Sequence, residues 1–181
     1  FTSNGALTNT NTPIRSQITG DVGTNSAAAV TGYVNVNGVI RPIFPAPTDP
    51  VASQADIDLN SAITQINTQP STGSLASPLG APGPGQTLTA GVYDVAGLTT
   101  ISDNLFLDGQ NNPNAVFIFR ISGQLVSTNS AKVRMIPFSQ ACNFFWRVNG
   151  SALNLAPQTF MSLNLIHFSG AIDLTSNDPL Q

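Results

Sequence analysis

The chain has very few charged residues. Only 8% of its 181 residues are charged and the net charge is −3, whereas about 25% are charged in ordinary globular proteins. There is no glutamate and a single lysine, Lys132. Because helical proteins commonly cover their surface with these two good helix formers, their scarcity favours strands and turns. The charge balance also provides no basic footprint for nucleic acid and no polybasic patch for a membrane surface.

Cysteines and long apolar runs are scarce too. With Cys142 as the single cysteine, no intramolecular disulfide can form, and its apolar neighbours predict a buried residue. No apolar run approaches the roughly 20 residues of a transmembrane helix, so membrane insertion is not expected. Ser, Thr and Asn supply most of the polar surface, and this neutral composition indicates an extracellular setting.

One segment has the pattern of a helix. Residues 51–69 carry a single apolar stripe with helical spacing, formed by Ala55, Leu59, Ala62, Ile63 and Ile66. Either Ser53 or the pair Thr48-Asp49 can cap its start. The flanking residues 41–50 and 71–86 are rich in Pro, Gly and Ser, and we expect them to be surface connectors.

From Thr87 onward, short apolar segments alternate with Gly, Asn, Asp and Pro. The predicted strands are 88–94, 98–101, 105–108, 115–121, 125–127, 132–136, 143–148, 160–166 and 171–174. The turns recur about every ten residues, which fits a sandwich, a barrel or an irregular solenoid. No fixed sequence period is visible, so the pattern alone does not choose among these three folds.

Four ordered blocks resemble the DUF3494 ice-binding-like family, and the helix between the first and second matches as well. The blocks are residues 18–25 (ITGDVGTN), 88–93 (LTAGVY), 107–119 (LDGQNNPNAVFIF) and 141–148 (ACNFFWRV). The resemblance covers nearly the whole chain. It implies one mostly β domain over residues 1–181, a right-handed, discontinuous β-solenoid of triangular cross-section with one long α-helix packed alongside.

The resemblance also implies a non-catalytic extracellular protein that adsorbs to ice or ordered water through one flat face. Methyl groups on such a face order nearby water and hydroxyl groups anchor it. The candidate surface residues are Thr19, Thr24, Thr31, Thr99, Thr100, Thr128, Thr159 and Thr175. The sequence does not assign them to one face, and they form no regular Thr-x-Thr ladder.

By family analogy, the terminal coil segments are missing. Open solenoid ends expose unpaired strand edges, so copies of the same chain are a second predicted partner besides ice. The alternative function is therefore a structural subunit of an extracellular filament or adhesion layer, built by stacking or strand complementation. A carbohydrate-binding module is a third hypothesis.

No residue pattern predicts catalysis, a cofactor or a metal. His167 is the single histidine and is interpreted as structural. The aspartates stand in Gly-Asp and Asp-Gly contexts typical of turns, and no carboxylate pair for glycoside hydrolysis is recognisable. The stretch 103–108 is not an EF-hand, because it lacks the bidentate Glu, but calcium binding at this turn stays an open alternative. Trp146 is predicted to lie in the core rather than on a sugar-stacking surface.

Overall fold

The fold is seen in a computed structural model. It describes residues 7–8, 18–19, 22–24, 30–31, 36–42, 49–80, 83–136, 139–150, 152–156, 164–167 and 171–174. Within these ranges, six short strands precede the helix: β1 (Leu7–Thr8), β2 (Ile18–Thr19), β3 (Val22–Thr24), β4 (Val30–Thr31), β5 (Val36–Asn37) and β6 (Ile40–Pro42). They pair in parallel as β1 with β4, β2 with β5 and β3 with β6. Two successive passes of the chain thus lie beside each other in three places, as in two coils of a solenoid.

The helix α1 (Pro50–Thr68) follows, and local sequence explains both of its ends. Asp49 is the N-cap, and its side chain accepts hydrogen bonds from the backbone N–H groups of Val51 and Ala52. Pro50 occupies the first turn, where its missing N–H costs nothing. The predicted helix is therefore confirmed, and Asp49 rather than Ser53 is the cap.

Twelve strands follow the helix in the described part of the chain. They are β7 (Gly73–Leu75), β8 (Gln86–Thr89), β9 (Gly91–Val95), β10 (Thr99–Ile101), β11 (Asn104–Asp108), β12 (Phe117–Ile121), β13 (Leu125–Ser127), β14 (Lys132–Met135), β15 (Phe144–Val148), β16 (Ala152–Leu155), β17 (Asn164–His167) and β18 (Ala171–Leu174). A 3₁₀ turn at Ala141–Asn143 precedes β15. The sequence prediction missed β16 and treated β7 as part of a connector.

These strands form three parallel sheets, ordered β14-β11-β8, β17-β15-β12-β9-β7 and β10-β13-β16-β18. The strands β9, β10 and β11 each lie in a different sheet, and β12, β13 and β14 repeat that path one coil later. Sheets built this way enclose a shaft with three walls. The predicted mostly β solenoid with one helix is confirmed, because a chain that returns to the same sheet in each coil pairs its strands in parallel, as these strands do.

Aromatic and aliphatic side chains fill the shaft. Tyr93, Phe119 and Trp146 come from successive coils of one sheet, and their rings stack with centroids 5.5 and 4.4 Å apart. Phe144 meets Phe119 and Trp146 edge-on. The core position predicted for Trp146 is confirmed, since this side chain is fully buried.

The burial predicted for Cys142 is wrong. This residue is exposed and lies in the 3₁₀ turn between two walls. Its Sγ lies 3.4 Å from Gln140 Oε1 and 3.6 Å from Asn143 Oδ1, both of them polar neighbours. The apolar residues that follow it belong to a strand that begins only at Phe144, and the turn directs Cys142 away from the core.

Candidate functional site

The three walls differ in what covers their outer faces. On the five-stranded sheet, Ile63 and Ile66 of α1 pack against Ile118, with Val92 and Phe145 beside them. We call this surface the helix-covered wall. Because the helix occupies its middle, a large flat ligand cannot lie on it.

One polar contact fixes the end of the helix to this wall. Arg120 of β12 binds Asp94 of β9 through Nε at 2.7 Å and through Nη2 at 2.8 Å. Its Nη1 donates to the carbonyl oxygens of Asn67 at 3.2 Å and Gln69 at 2.9 Å. These carbonyl groups belong to the last helical turn and to the C-cap, where no intrahelical partner is available. Arg120 therefore caps α1 and joins it to two coils at once.

The second wall is formed by β8, β11 and β14, and we call it the charged wall. Alternate residues of its strands are buried or packed on the core, so the residues between them face outward. Thr87, Phe106 and Arg134 lie in one register row across the wall. By the same alternation, Asp108 and Lys132 also face outward. This surface is open, but it is irregular in both size and charge.

The third wall is different, and we call the outer face of β10, β13 and β16, with their flanking residues, the neutral wall. Its outward positions alternate with buried positions such as Ile101 and Leu125. The outward side chains are Leu98, Thr100, Ser102, Gln124, Val126, Thr128 and Asn154. None of these seven side chains carries a formal charge. Register places Thr100, Val126 and Asn154 in one row, with Asp173 of β18 next in line.

A stack of glycines forms the corner between the helix-covered wall and the neutral wall. Gly97, Gly123 and Gly150 occupy this corner in three successive coils. A Cβ at Gly123 would lie 2.3 Å from the carbonyl oxygen of Gly97, and a Cβ at Gly150 would lie 2.3 Å from the carbonyl group of Gly123. The coils thus approach so closely here that only glycine fits.

Hydroxyl groups hold the opposite edge of the neutral wall. Thr128 Oγ1 donates to the carbonyl oxygen of Ser102, on the preceding coil, at 2.9 Å. Ser127 Oγ accepts a hydrogen bond from the N–H of Ala156, on the following coil, at 2.8 Å. Both edges of the neutral wall are therefore fixed from coil to coil, which keeps the surface between them regular.

The structure places two of the predicted threonines on the same wall and shows that a third is buried in the shaft. Thr100 and Thr128 lie on the neutral wall, whereas Thr99 is fully buried. A buried side chain cannot contact an external surface, so Thr99 is a correction to the predicted set. Its position follows from strand alternation, because Thr100 faces outward and its neighbour must face the shaft.

The other predicted threonines lie on strands that precede the helix or outside the described residues. Register pairs Thr31 with Thr8, Thr19 with Asn37 and Thr24 with Pro42. Thr159 and Thr175 are outside the described part of the chain. Sequence reasoning missed Val126 and Asn154, which share the row of Thr100. The signal that points to them is the glycine of each corner, which lies two positions before the first residue of β10, β13 and β16.

The described residues form no candidate metal site. Within them, no group of three or more His, Cys, Asp or Glu side chains is placed to hold a metal ion. A groove of about 450 Å³ runs between α1 and the helix-covered wall, and none of its lining side chains titrates. It is lined by Ala62, Gln65, Ile66, Gln69, Gly91, Val92, Val116, Ile118 and Phe145. Where helical structure is described, it includes no helix long and apolar enough to cross a bilayer.

Comparison with known proteins gives one consistent family. The model of the ice-binding-like family matches residues 2–176. The "Ice-binding protein" of Nostoc sp. (strain HG1) is 31% identical over 151 residues, which are 82% of this chain and 52% of that protein. A crystal structure of an ice-binding protein from an Antarctic Flavobacteriaceae bacterium is 30% identical, with a TM-score of 0.71, and the match covers 96% of this chain and 42% of that one. The chain thus spans about half the length of these two relatives, or less.

A fungal structure shows the fold at lower identity. The ice-binding protein of the Antarctic ascomycete Antarctomyces psychrotrophicus superposes with a TM-score of 0.74 at 20% identity. That match covers 97% of this chain and 89% of the fungal chain.

Proposed function

The chain belongs to the ice-binding-like family, and from that premise we propose that it is an extracellular, non-catalytic protein that adsorbs to ice or ordered water through its neutral wall. The observation that supports this surface most strongly is the distribution of charge and cover among the three walls. The helix occupies one wall and Asp108, Lys132 and Arg134 lie on another. The neutral wall alone combines an open surface with seven described outward side chains that carry no charge.

Surface matching gives the physical reason for this choice. Parallel strands repeat at roughly 4.7–4.9 Å, so the row of Thr100, Val126 and Asn154 presents one side chain per coil at a regular interval. Apolar groups such as Val126 order the adjacent water, and polar groups such as Thr100 and Asn154 anchor it to the protein. A charged side chain would bind its own hydration shell and disrupt such a layer.

Rigidity is the second requirement, because water can be held in a fixed array only by a surface that does not fluctuate. The two edges of the neutral wall meet this requirement by different means. Backbone contact at Gly123 holds one edge, and the hydrogen bond from Thr128 to Ser102 holds the other. Side chains that are already ordered also avoid the entropic cost of immobilising them when the surface binds.

The test introduces a lysine in the central row of the neutral wall and, as a control, a lysine on another wall. We expect the purified protein to produce faceted ice crystals and a measurable thermal hysteresis. Asn154→Lys should abolish most of the hysteresis, because the exposed side chain would place a hydrated charge in the central row. Thr87→Lys, an equally exposed strand position on the charged wall, is the matched control and should retain the activity.

Both variants should unfold within about 2 °C of the parent protein, since exposed substitutions seldom change the free energy of unfolding by more than ~0.5 kcal/mol. Disc-shaped crystals from the parent protein at high concentration would exclude ice adsorption. Loss of activity in Thr87→Lys but not in Asn154→Lys would show that the protein adsorbs to ice through the charged wall and not through the neutral wall.

A further inference from the structure

Three charged residues lie side by side on the helix-covered wall. Asp94, Arg120 and Arg147 occupy the same register row on β9, β12 and β15. The first two are fully engaged with each other and with the end of α1, as described above. The side chain of Arg120 is only 15% exposed, and each of its three nitrogen atoms donates to an acceptor.

Among the described residues, Arg147, the third member of the row, has no such partner. Its Nε is sealed from solvent and has no hydrogen-bond acceptor among the described residues. Burial, and secondarily the positive charge of Arg120, lower the pKa of Arg147. A buried donor on a charged group is costly when it is left unpaired. Such groups are rare in folded proteins, and a bound ion or water is a common explanation for them.

The described carboxylates of β9 and of the middle of α1 have other hydrogen-bond partners. Asp94 holds Arg120, and on α1 Asp58 accepts from Gln54 at 2.8 Å. Asp56 accepts from Asn60 through a side-chain oxygen at 3.3 Å. On the far side of Arg147, register places the apolar residue Ile166 of β17. The row therefore combines two guanidinium groups with one carboxylate, so the positive charge of Arg147 is not balanced within the row.

We propose that Arg147 binds an external oxyanion, a carboxylate or an inorganic phosphate, in the manner in which Arg120 binds Asp94. A guanidinium group offers a planar pair of N–H donors that fits two oxygen atoms of such a ligand. Arg147 is half-buried as a whole, so part of it is reached from solvent. Because Nε is sealed from solvent, the proposal includes an outward turn of the side chain that brings Nε to the ligand.

This site is independent of the proposed function, because it lies on the helix-covered wall rather than on the neutral wall. A ligand held there would be an anionic group on another molecule or a free anion. Acetate and inorganic phosphate are the two probes, because they distinguish a carboxylate ligand from a phosphate ligand. Preference for acetate would indicate a carboxylate partner, and preference for phosphate would indicate a phosphorylated one.

The experiment measures the unfolding temperature at neutral pH in acetate, phosphate and chloride at equal ionic strength. An anion that binds only the folded protein raises Tm by about 3 to 6 °C when its concentration is ten times Kd. We expect this rise for acetate or phosphate over chloride in the parent protein. Arg147→Gln should lose it, and Arg134→Gln, which removes an exposed arginine from the charged wall, should keep it.

Arg147→Lys provides a second variant that keeps the charge but not the paired donors. It should show less than half of the rise in Tm measured for the parent protein. Equal Tm values in all three salts for the parent protein would overturn the proposal. An anion-dependent rise that persists unchanged in Arg147→Gln would overturn it as well, since the anion would then bind elsewhere.

Discussion

Replacing Gly123 with alanine tests how closely the coils meet at the glycine corner. The new Cβ would lie 2.3 Å from the carbonyl oxygen of Gly97 and 2.4 Å from its carbon, both of them backbone atoms of the adjacent coil. A normal contact requires these coils to separate by about 1 Å, a large fraction of the roughly 4.8 Å between neighbouring strands. No flexible side chain is available to absorb this movement.

The cost follows from the hydrogen bonds around the corner. Ser122 N donates to Val95 O at 3.0 Å, and Thr99 N donates to Gln124 O at 2.8 Å. Each bond contributes about 1 kcal/mol net, and overpacking a tight site adds about 1–3 kcal/mol. We therefore expect Gly123→Ala to lower the free energy of unfolding by about 3 kcal/mol, which for a chain of this size lowers Tm by about 6–12 °C.

Two other glycines separate crowding from backbone strain. At Gly73 a Cβ meets nothing within 4 Å, so Gly73→Ala should change the free energy of unfolding by less than ~0.5 kcal/mol. At Gly97 the space is also open but φ is +69°, so alanine should cost about 1 kcal/mol. Thermal unfolding followed by circular dichroism gives all three values. A Gly123→Ala protein as stable as Gly73→Ala would refute the proposed contact between the coils.

Three further predictions concern the helix contact and the exposed thiol. Arg120→Met should lower the free energy of unfolding by about 2 kcal/mol, measured in urea, because it leaves Asp94 unpaired and the last carbonyl groups of α1 uncapped. The hydrogen bonds from Arg120 and then from Ser71 lower the pKa of Asp94 below its ordinary value of 3.8. The stability that Asp94 contributes is therefore complete above this value and is lost as the pH falls through the lowered folded pKa, so the difference in stability between the parent protein and Asp94→Asn should shrink on acidification below about pH 4. Finally, Cys142 should react with one equivalent of a thiol reagent in the folded state, at a rate close to that in urea, and slow reaction would contradict the exposed position.

Local patterns in the sequence were enough to predict the elements that depend on short-range interactions. The apolar stripe and Asp49 predict the helix, because both act within a few residues. Strand 104–108 is bounded by Asp and Gly and was predicted nearly to the residue. At residues 88–94 the pattern indicated one strand, but the structure has a corner at Ala90 between β8 and β9. A corner between two walls interrupts the strand without interrupting the apolar composition.

Pairing between coils was not visible because the repeat is irregular. The register advances by 26 residues from Thr99 to Leu125 and by 28 from Leu125 to Leu153, with one of the two extra residues before Gly150 and the other after it. An unequal repeat defeats a search for a fixed period. The family resemblance supplied the solenoid, and the structure then confirmed it through parallel pairing of strands that are far apart in the sequence.

The neutral wall shows why counting threonines does not locate a binding surface. Strand residues alternate between the shaft and the solvent, so Thr99 and Thr100 have opposite environments although they are adjacent and identical. Whether a wall is neutral depends as much on where the charged residues lie. Arg120 and its partner Asp94 lie at the end of the helix, and Lys132 and Arg134 lie on the charged wall. A shift of one residue in the register of β13 would bury Val126 and turn Leu125 outward, removing the row without changing the composition. The property that we propose for function therefore belongs to the register of the coils, and the glycine corner, through its effect on register and spacing, is the element on which the wall most depends.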